Sequence, residues 1–399
     1  MLFAGVLLIL GLSTAAALLP GALARRGARA ARANTQRILA SQAGTANLRT
    51  AWACSELGKI SCLEKQLEAV PEVGDDEVRV DVRAIGLNYA DVFCVLGLYE
   101  AANKMLEEQG DGASLCPGLE FAGVVSAVGA RVGRVAVGQR VYGFTRFGAY
   151  RTSVVVRERL VRPMPETWSF NEAAALLVQG LTAWHGLVEL GGARKGSRVL
   201  VHSAAGGVGS CALEICSAIG ADAVGVVGSP HKVDFLRERF PRCTPLVRSS
   251  ERRYAAQLAE VGFEYDVVLE SLGGKYLTGA LDRVAPMGRL VHFGATAAYG
   301  GSIVDGLFKW IKLVPNFLRR PFVDPGELVP KNRALMGFNL IWLTEREDKL
   351  ERELDEMLTT GGLASRPPAV GRTFPFDELP AALRYLQSGA SVGKVVVEV

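Results

Sequence analysis

Residues Val199–Gly209, VLVHSAAGGVG, narrow the fold of this chain further than any other stretch. An apolar strand runs into a glycine-rich turn and then into a helix-like run, VGSCALEICSAI (208–219). Strand, turn and helix in that order make the phosphate-binding crossover of a dinucleotide fold. Gly206 permits a sharp turn, Gly207 lets the backbone approach a pyrophosphate, and Gly209 lets the helix pack close to the strand. With Ala205 and Val208 these residues form the expected pyrophosphate cradle, at the unpaired amides and positive dipole end of the helix. The competing reading is a tight turn in some other α/β protein, and the order of the three elements argues against it.

A second apolar run, AVGVVG (223–228), follows about 20 residues downstream, the spacing the unit requires. NAD sites carry an Asp or Glu at the end of that strand for the ribose hydroxyls. Here Gly228, Ser229, Pro230, His231 and Lys232 stand instead. The missing carboxylate removes a repulsion against a 2′-phosphate, and Ser229 and Lys232 are donors to it. One charge-assisted bond contributes roughly 1.5–3 kcal/mol, about a ten- to hundredfold preference. NADPH is therefore expected over NADH. The alternative makes Lys232 a solvated residue starting an exposed helix, 231–239.

At 399 residues the chain is long enough for two domains, and 49% apolar with 22% charged residues describes a packed globular protein. The net charge of +4 originates at the N-terminus. Residues 1–55 hold six Arg and no acid, leaving 39 basic against 41 acidic residues elsewhere. Nothing in that balance points to a nucleic-acid partner. The seven Cys (54, 62, 94, 116, 211, 216, 243) show no paired spacing and no CxxC. They argue for a reducing compartment and against a disulfide framework, with Cys211 and Cys216 read as packing residues.

Residues 1–47 form a separate segment. Leu2–Ala24 is uncharged, and RRGARAAR follows at 25–32. A signal peptide ending at Ala22-Leu23-Ala24 would lack its basic n-region. Cleavage there would leave an acid-free stretch to about Ser55 that resembles a plastid-type transit sequence. Equally, 23 uncharged residues are long enough to span a bilayer, with the Arg cluster on the cytosolic side. Leader and anchor both stay open, and with them organelle targeting or membrane association.

Strand patterns dominate the next part. EVRVDVRAI (77–85) alternates apolar and polar residues, and 121–128 and 150–156 follow between Gly-rich turns. A β-rich domain is expected over 48–170. From Asn171 strands at 198–202, 223–228, 266–271, 289–293 and 336–341 alternate with helical stretches, predicting a parallel sheet covered on both faces over 171–343. A charged amphipathic helix at 345–357 and strands near 373–376 and the C-terminus return the chain, over 344–399, to the first domain. The fold class expected is α/β: a β-rich domain in two segments around a doubly wound dinucleotide domain.

Several segments in this order resemble the medium-chain dehydrogenase/reductase superfamily over about 48–399. They are GLNYAD (86–91), PGLEFAGVV (117–125), AAALLVQGLTAW (173–184), the glycine turn and SVGKVV (391–396). Within it the chain is most similar to zinc-free quinone oxidoreductases of the vesicle amine transport protein-like branch. The resemblance implies a GroES-like catalytic domain joined to a Rossmann domain. Zinc-dependent relatives have a Cys where Asn88 stands and Gly-His-Glu where Gly118, Leu119 and Glu120 stand. A catalytic zinc needs three N or S ligands that Asn88 and Leu119 cannot supply, so no metal site is expected. The four His (185, 202, 231, 292) show no ligand spacing, and His202 and His292 read as packed or hydrogen-bonded.

Without zinc, an activated alkene or quinone is a more tractable substrate than an alcohol, because conjugation takes up the charge. The resemblance places Asn88 beside nicotinamide and substrate and Thr182 on the carboxamide. It makes Tyr99 a proton or hydrogen-bond donor to the carbonyl oxygen. Asp91 is either a helix cap or catalytic. Phe293 and Gly294, closing the 289–293 strand, complete the cofactor set, while Tyr89 and Phe147 read as pocket walls or core. Val95 stands where relatives often carry Arg, and an insert, AANKMLEEQG, lengthens the chain between Tyr99 and Pro117. Arg248 reads either as a 2′-phosphate contact or as solvated. Leu307, Trp310, Val314 and Phe317 align on one helical face, for a membrane surface or, as favoured here, a pocket cover or homodimer interface. The leading function is NADPH-dependent reduction of quinones or α,β-unsaturated carbonyls. A membrane-associated NADPH-binding tethering or lipid-handling protein is the alternative.

Overall fold

The computed structural model describes residues 47–110, 112–296 and 321–399. The apolar N-terminal segment and the helix expected at 307–320 lie outside the described residues. The chain enters through a hairpin of β1 (Leu48–Cys54) and β2 (Leu63–Ala69), paired antiparallel with Cys54 opposite Leu63. In β3 (Glu77–Gly86), Val78, Val80, Val82 and Ala84 are buried at every second position, as the period of a one-sided strand requires. Two helices follow, α1 (Tyr89–Val95) and α2 (Glu100–Gln109), the second forming the insert. Strands β4 (Glu120–Val128), β5 (Arg140–Phe144), β6 (Ser153–Arg157) and β7 (Val161–Pro163) complete the first segment.

Helix α3 (Leu177–Trp184) opens the second domain. Its strands are β8 (Arg198–Val201), β9 (Asp222–Val227), β10 (Thr244–Val247), β11 (Tyr265–Glu270), β12 (Val284–His292) and β13 (Ala334–Gly337), with α4 (Gly207–Ile219) between the first two. Every pairing is parallel, in the order β10-β9-β8-β11-β12-β13. In chain order that is 3-2-1-4-5-6, the doubly wound arrangement whose direction reverses between β8 and β11. The strand expected at 336–341 ends earlier, because Asn339 accepts from the Ile341 amide and starts a helical turn, Leu340–Leu343.

Helix α5 (Glu347–Thr359) turns Leu350, Leu354 and Met357 into a core shared with Leu177, Leu181 and Trp184. Its buried Glu353 meets His185 Nδ1 at 2.9 Å. The chain then returns to the first domain as β14 (Val370–Pro375) and β15 (Lys394–Glu398), giving a sheet β14-β15-β3-β4-β5-β7 with β6 on β3. The helical run Phe170–Leu190 is long and apolar enough to cross a bilayer, but 78% of its most apolar window is buried inside the protein. It serves as core between the two sheets.

Candidate active site

The β8–α4 turn is held by close packing. A Cβ on Gly209 would lie 2.4 Å from the Ser203 carbonyl oxygen and 2.5 Å from Ala204 Cα, distances no side chain tolerates. Ser203 itself adopts φ +53°, a conformation costing about 1–3 kcal/mol outside glycine, and its hydroxyl lies 2.9 Å from that of Ser271. The turn opens onto a cleft of about 550 Å³ between the two domains, within the roughly 300–1,000 Å³ typical of ligand sites. The cleft lies at the carboxyl ends of β8 and β11, where α4 presents its first amides.

Asn88, Ala205, Gly206, Gly207, Val208, Gly209, Ser229, Lys232 and Phe293 all line this cleft. Asp91, Tyr99, Thr182 and Gly294 are not among its lining residues. Thr182 Oγ1 donates to the Val178 carbonyl one turn back, at 2.7 Å. Tyr99 caps α2 and donates to Asn339 Oδ1 at 2.8 Å, with its ring edge-on to Phe147. Asp91 is fully buried and its Oδ2 accepts from the Asn88 amide at 2.8 Å, capping α1. Tyr89 lines the cleft, with a buried hydroxyl that finds no hydrogen-bond partner.

Residues from four separate segments surround Asn88. Its Nδ2 donates to Glu120 Oε1 at 3.0 Å and to the Gly86 carbonyl at 3.3 Å, while Oδ1 accepts from Gln179 and from Lys394 Nζ. Those four bonds exhaust the amide's capacity, so Asn88 is a fixed wall of the cleft. Lys394 also donates to Glu120 Oε1 at 2.7 Å, and Glu120 Oε2 accepts from the Val178 amide. Both charged side chains are buried, at 4% and 1% exposure. Sequence reasoning reaches Glu120, Gln179 and Lys394 only as members of motifs and assigns none of them a role at the site.

Burial pushes the Asp91 carboxyl up to about 7 against the pull of the Asn88 amide and the Lys394 charge. Its ordinary value is about 3.9. The folded state therefore holds a proton on Asp91 that the unfolded chain releases between about pH 4 and 7. The stability this proton confers is complete below that range and lost as pH rises through it. We expect Asp91→Asn, which keeps an acceptor for the cap, to flatten that slope by a few kcal/mol in urea titrations at pH 4, 5.5 and 7. Parallel slopes for the two proteins would contradict it.

At the other end of the cleft, Lys232 Nζ donates to the Gly389 and Ser391 carbonyls, each at 2.8 Å. Arg248 follows β10, whose register pairs Val247 with Val227, and its guanidinium lies over the Tyr276 ring at 5.3 Å. A Cβ on Gly228 would stand 3.3 Å from Arg248 Nη2. Ser229, Lys232 and Arg248 thus gather at the end of β9, and burial and the Arg248 charge lower the Lys232 pKa. Beneath the cleft, Glu270 accepts from the Leu272 and Gly273 amides and meets His202 and His292 Nδ1 at 3.2 and 2.5 Å. Burial alone would raise its pKa, but bonds from the two His hold the carboxyl at about 2. His202 Nε2 lies 2.7 Å from the Tyr254 hydroxyl. Among the described residues no group of three or more His, Cys, Asp or Glu is placed to hold a metal ion.

The residues fit a nicotinamide dinucleotide: a glycine cradle that a Cβ would fill, helix amides facing it, and cations at the end of β9. Residues 74–166 match the Alcohol dehydrogenase GroES-like domain, and residues 246–397 match Zinc-binding dehydrogenase. The chain belongs to the medium-chain dehydrogenase/reductase superfamily of oxidoreductases. It is 30% identical over 337 residues to the Synaptic vesicle membrane protein VAT-1 homolog of Rattus norvegicus, covering 84% of this chain and 80% of the relative. The structure superposes on the CurK enoyl reductase with a TM-score of 0.73 at 30% identity, covering 88% of this chain and 99% of that one. A quinone oxidoreductase of Pseudomonas syringae pv. Tomato DC3000 gives 0.70 at 28% identity, covering 88% and 100%. The chain also spans 13% of the length of a Streptomyces orinoci spectinabilin polyketide synthase system protein, 36% identical over 330 residues.

Proposed function

We propose that this protein reduces the activated double bond of a quinone or an α,β-unsaturated carbonyl with NADPH, without a metal. The observation that carries the reading is the cleft itself. One end gathers Ser229, Lys232 and Arg248, the middle is the α4 N-terminus, and the other end is walled by Asn88 and Tyr89. Bound there, the reduced dinucleotide supplies a hydride. Ser229, Lys232 and Arg248 bind a 2′-phosphate, and the amides following Gly206 bind the pyrophosphate. Asn88, its hydrogen bonds all engaged, orients the ring and the substrate by shape. Tyr89, inside the cleft with its hydroxyl unpartnered, is the phenol available to the substrate carbonyl, whereas the Tyr99 hydroxyl is engaged by Asn339 outside it. The similarity to a quinone oxidoreductase and an enoyl reductase supports this substrate class.

The test is NADPH consumption by the full chain against a panel of quinones and conjugated enones, with chelator present. Chelator-resistant turnover is the expected result. Tight NADPH binding without turnover across the panel would overturn it and favour a tethering role, for which the similarity to a vesicle membrane protein speaks.

A further inference from the structure

The β1–β2 hairpin brings together two cysteines that the mechanism does not use. Cys54 ends β1, Cys62 sits just before β2, and their sulfurs lie 2.6 Å apart. Their surroundings are opposite. Cys54 is fully buried, held on its other side by reciprocal backbone bonds to Leu115 at 2.8 Å, whereas Cys62 is half-exposed. We propose that Cys54 and Cys62 are a reversible redox modification site, a dithiol that hydroperoxides oxidise to a disulfide. The site lies outside the cleft and is independent of the function proposed above.

The chemistry divides between the two sulfurs. The hydrogen bond between the two sulfurs lowers the Cys62 pKa, helped by a backbone bond at Lys59 and the Lys59 charge, so the thiolate forms more readily on Cys62 than on Cys54. Of the seven thiols it is the one shifted in that direction. Burial pushes Cys116, Cys211 and Cys216 up to about 12 and Cys243 to about 11. The thiolate is the nucleophile toward peroxide. Cys62 sulfur attacks one peroxide oxygen, an S–O bond forms as the O–O bond breaks, and the leaving oxygen takes a proton from solvent. Cys54 sulfur then attacks the Cys62 sulfenic acid, forming the S–S bond. The expelled hydroxide takes the Cys54 proton and leaves as water. The sulfur pair loses two electrons and the peroxide gains two, and a dithiol reductant reverses the step.

The pair also has a structural lever. The connection between the two strands packs on α1, where the Gly58 amide donates to the Val95 carbonyl at 2.9 Å, and Leu57 joins the clusters around Leu96 and Leu115. Oxidation therefore fixes the loop behind the helix that Asn88 begins.

The full chain would be treated with hydrogen peroxide at stoichiometric amounts, alkylated, and digested with trypsin. Cleavage after Lys59 separates the two cysteines, so a disulfide appears as peptides 50–59 and 60–65 linked together. The expected result is that linked pair as the main oxidised product, lost on addition of dithiothreitol. In Cys54→Ala, Cys62 should stop at the sulfenic acid and be captured by dimedone. Oxidation of another cysteine before Cys62, Cys62 sulfenic acid persisting unlinked in the unaltered protein, or both thiols remaining free would each overturn the proposal. The unaltered protein decides between these outcomes even if the variant fails to fold.

Discussion

Replacing Lys394 by Met is expected to cost about 3–5 kcal/mol of unfolding free energy, the range for removing one partner of a buried ion pair. The reason lies with the partner. Glu120 is 1% exposed, and without the ammonium at 2.7 Å it keeps only the Asn88 amide and the Val178 N–H as donors. A buried carboxylate left uncompensated must either stay charged in a poor solvent or take up a proton. Adding Glu120→Gln to Lys394→Met removes the orphaned charge, and the double variant should regain more than half of the loss. Urea unfolding of the two single variants and the double variant checks this as a cycle. A loss below about 1 kcal/mol for Lys394→Met would place the pair among exposed ion pairs, and strictly additive losses would show that the two groups do not interact.

The second large effect concerns cofactor choice. Lys232→Ala is expected to weaken NADPH binding ten- to hundredfold, at roughly 1.5–3 kcal/mol for one charge-assisted bond. Adding Arg248→Ala should take the loss beyond a hundredfold, with NADH binding changed by less than about threefold. The discrimination rests on Ser229, Lys232 and Arg248 standing at the end of β9 with no acid where a ribose-binding carboxylate would be. Lys232 also ties the cofactor domain to the loop before β15 through two carbonyls, so its removal could loosen the cleft for either dinucleotide. Fluorescence titration of both dinucleotides separates the two effects. An equal loss for NADH and NADPH would sink the 2′-phosphate assignment and leave Lys232 as a domain staple.

Local signals make much of this architecture legible. The strand, glycine turn and helix of 199–219 are contiguous, and Gly206 and Gly209 answer to contacts within a few residues, at Ser203 and Ala204. Alternation in 77–85 and apolar runs at 223–228 and 267–269 reflect how many faces of each strand are covered. The strand expected at 336–341 is foreshortened by a side-chain cap at Asn339, which competes with the ladder and leaves hydropathy unchanged.

The site is harder to read, because its polar centre is assembled across the fold. Asn88 and Lys394 are 306 residues apart and meet only when β15 pairs with β3. A signal is present: Glu120 and Lys394 are each a single charge inside an apolar run, PGLEFAGVV and SVGKVVV, and a buried charge requires a partner. The place of Arg248 depends on β10 lying beside β9, a pairing that sequence distance does not specify. The Cys54–Cys62 contact is hidden in the same way. Spacing shows no motif, and the hairpin register creates the neighbourhood.

The most direct test of the central claim follows the transferred atom. NADPH carrying deuterium at both C4 positions of the nicotinamide ring would be mixed with the full chain, chelator and the best enone from the panel, and the product examined by NMR. Deuterium is expected on the carbon β to the carbonyl and solvent hydrogen on the α carbon. Product without deuterium, or cofactor consumed with the enone unchanged, would contradict reduction by hydride transfer in this cleft.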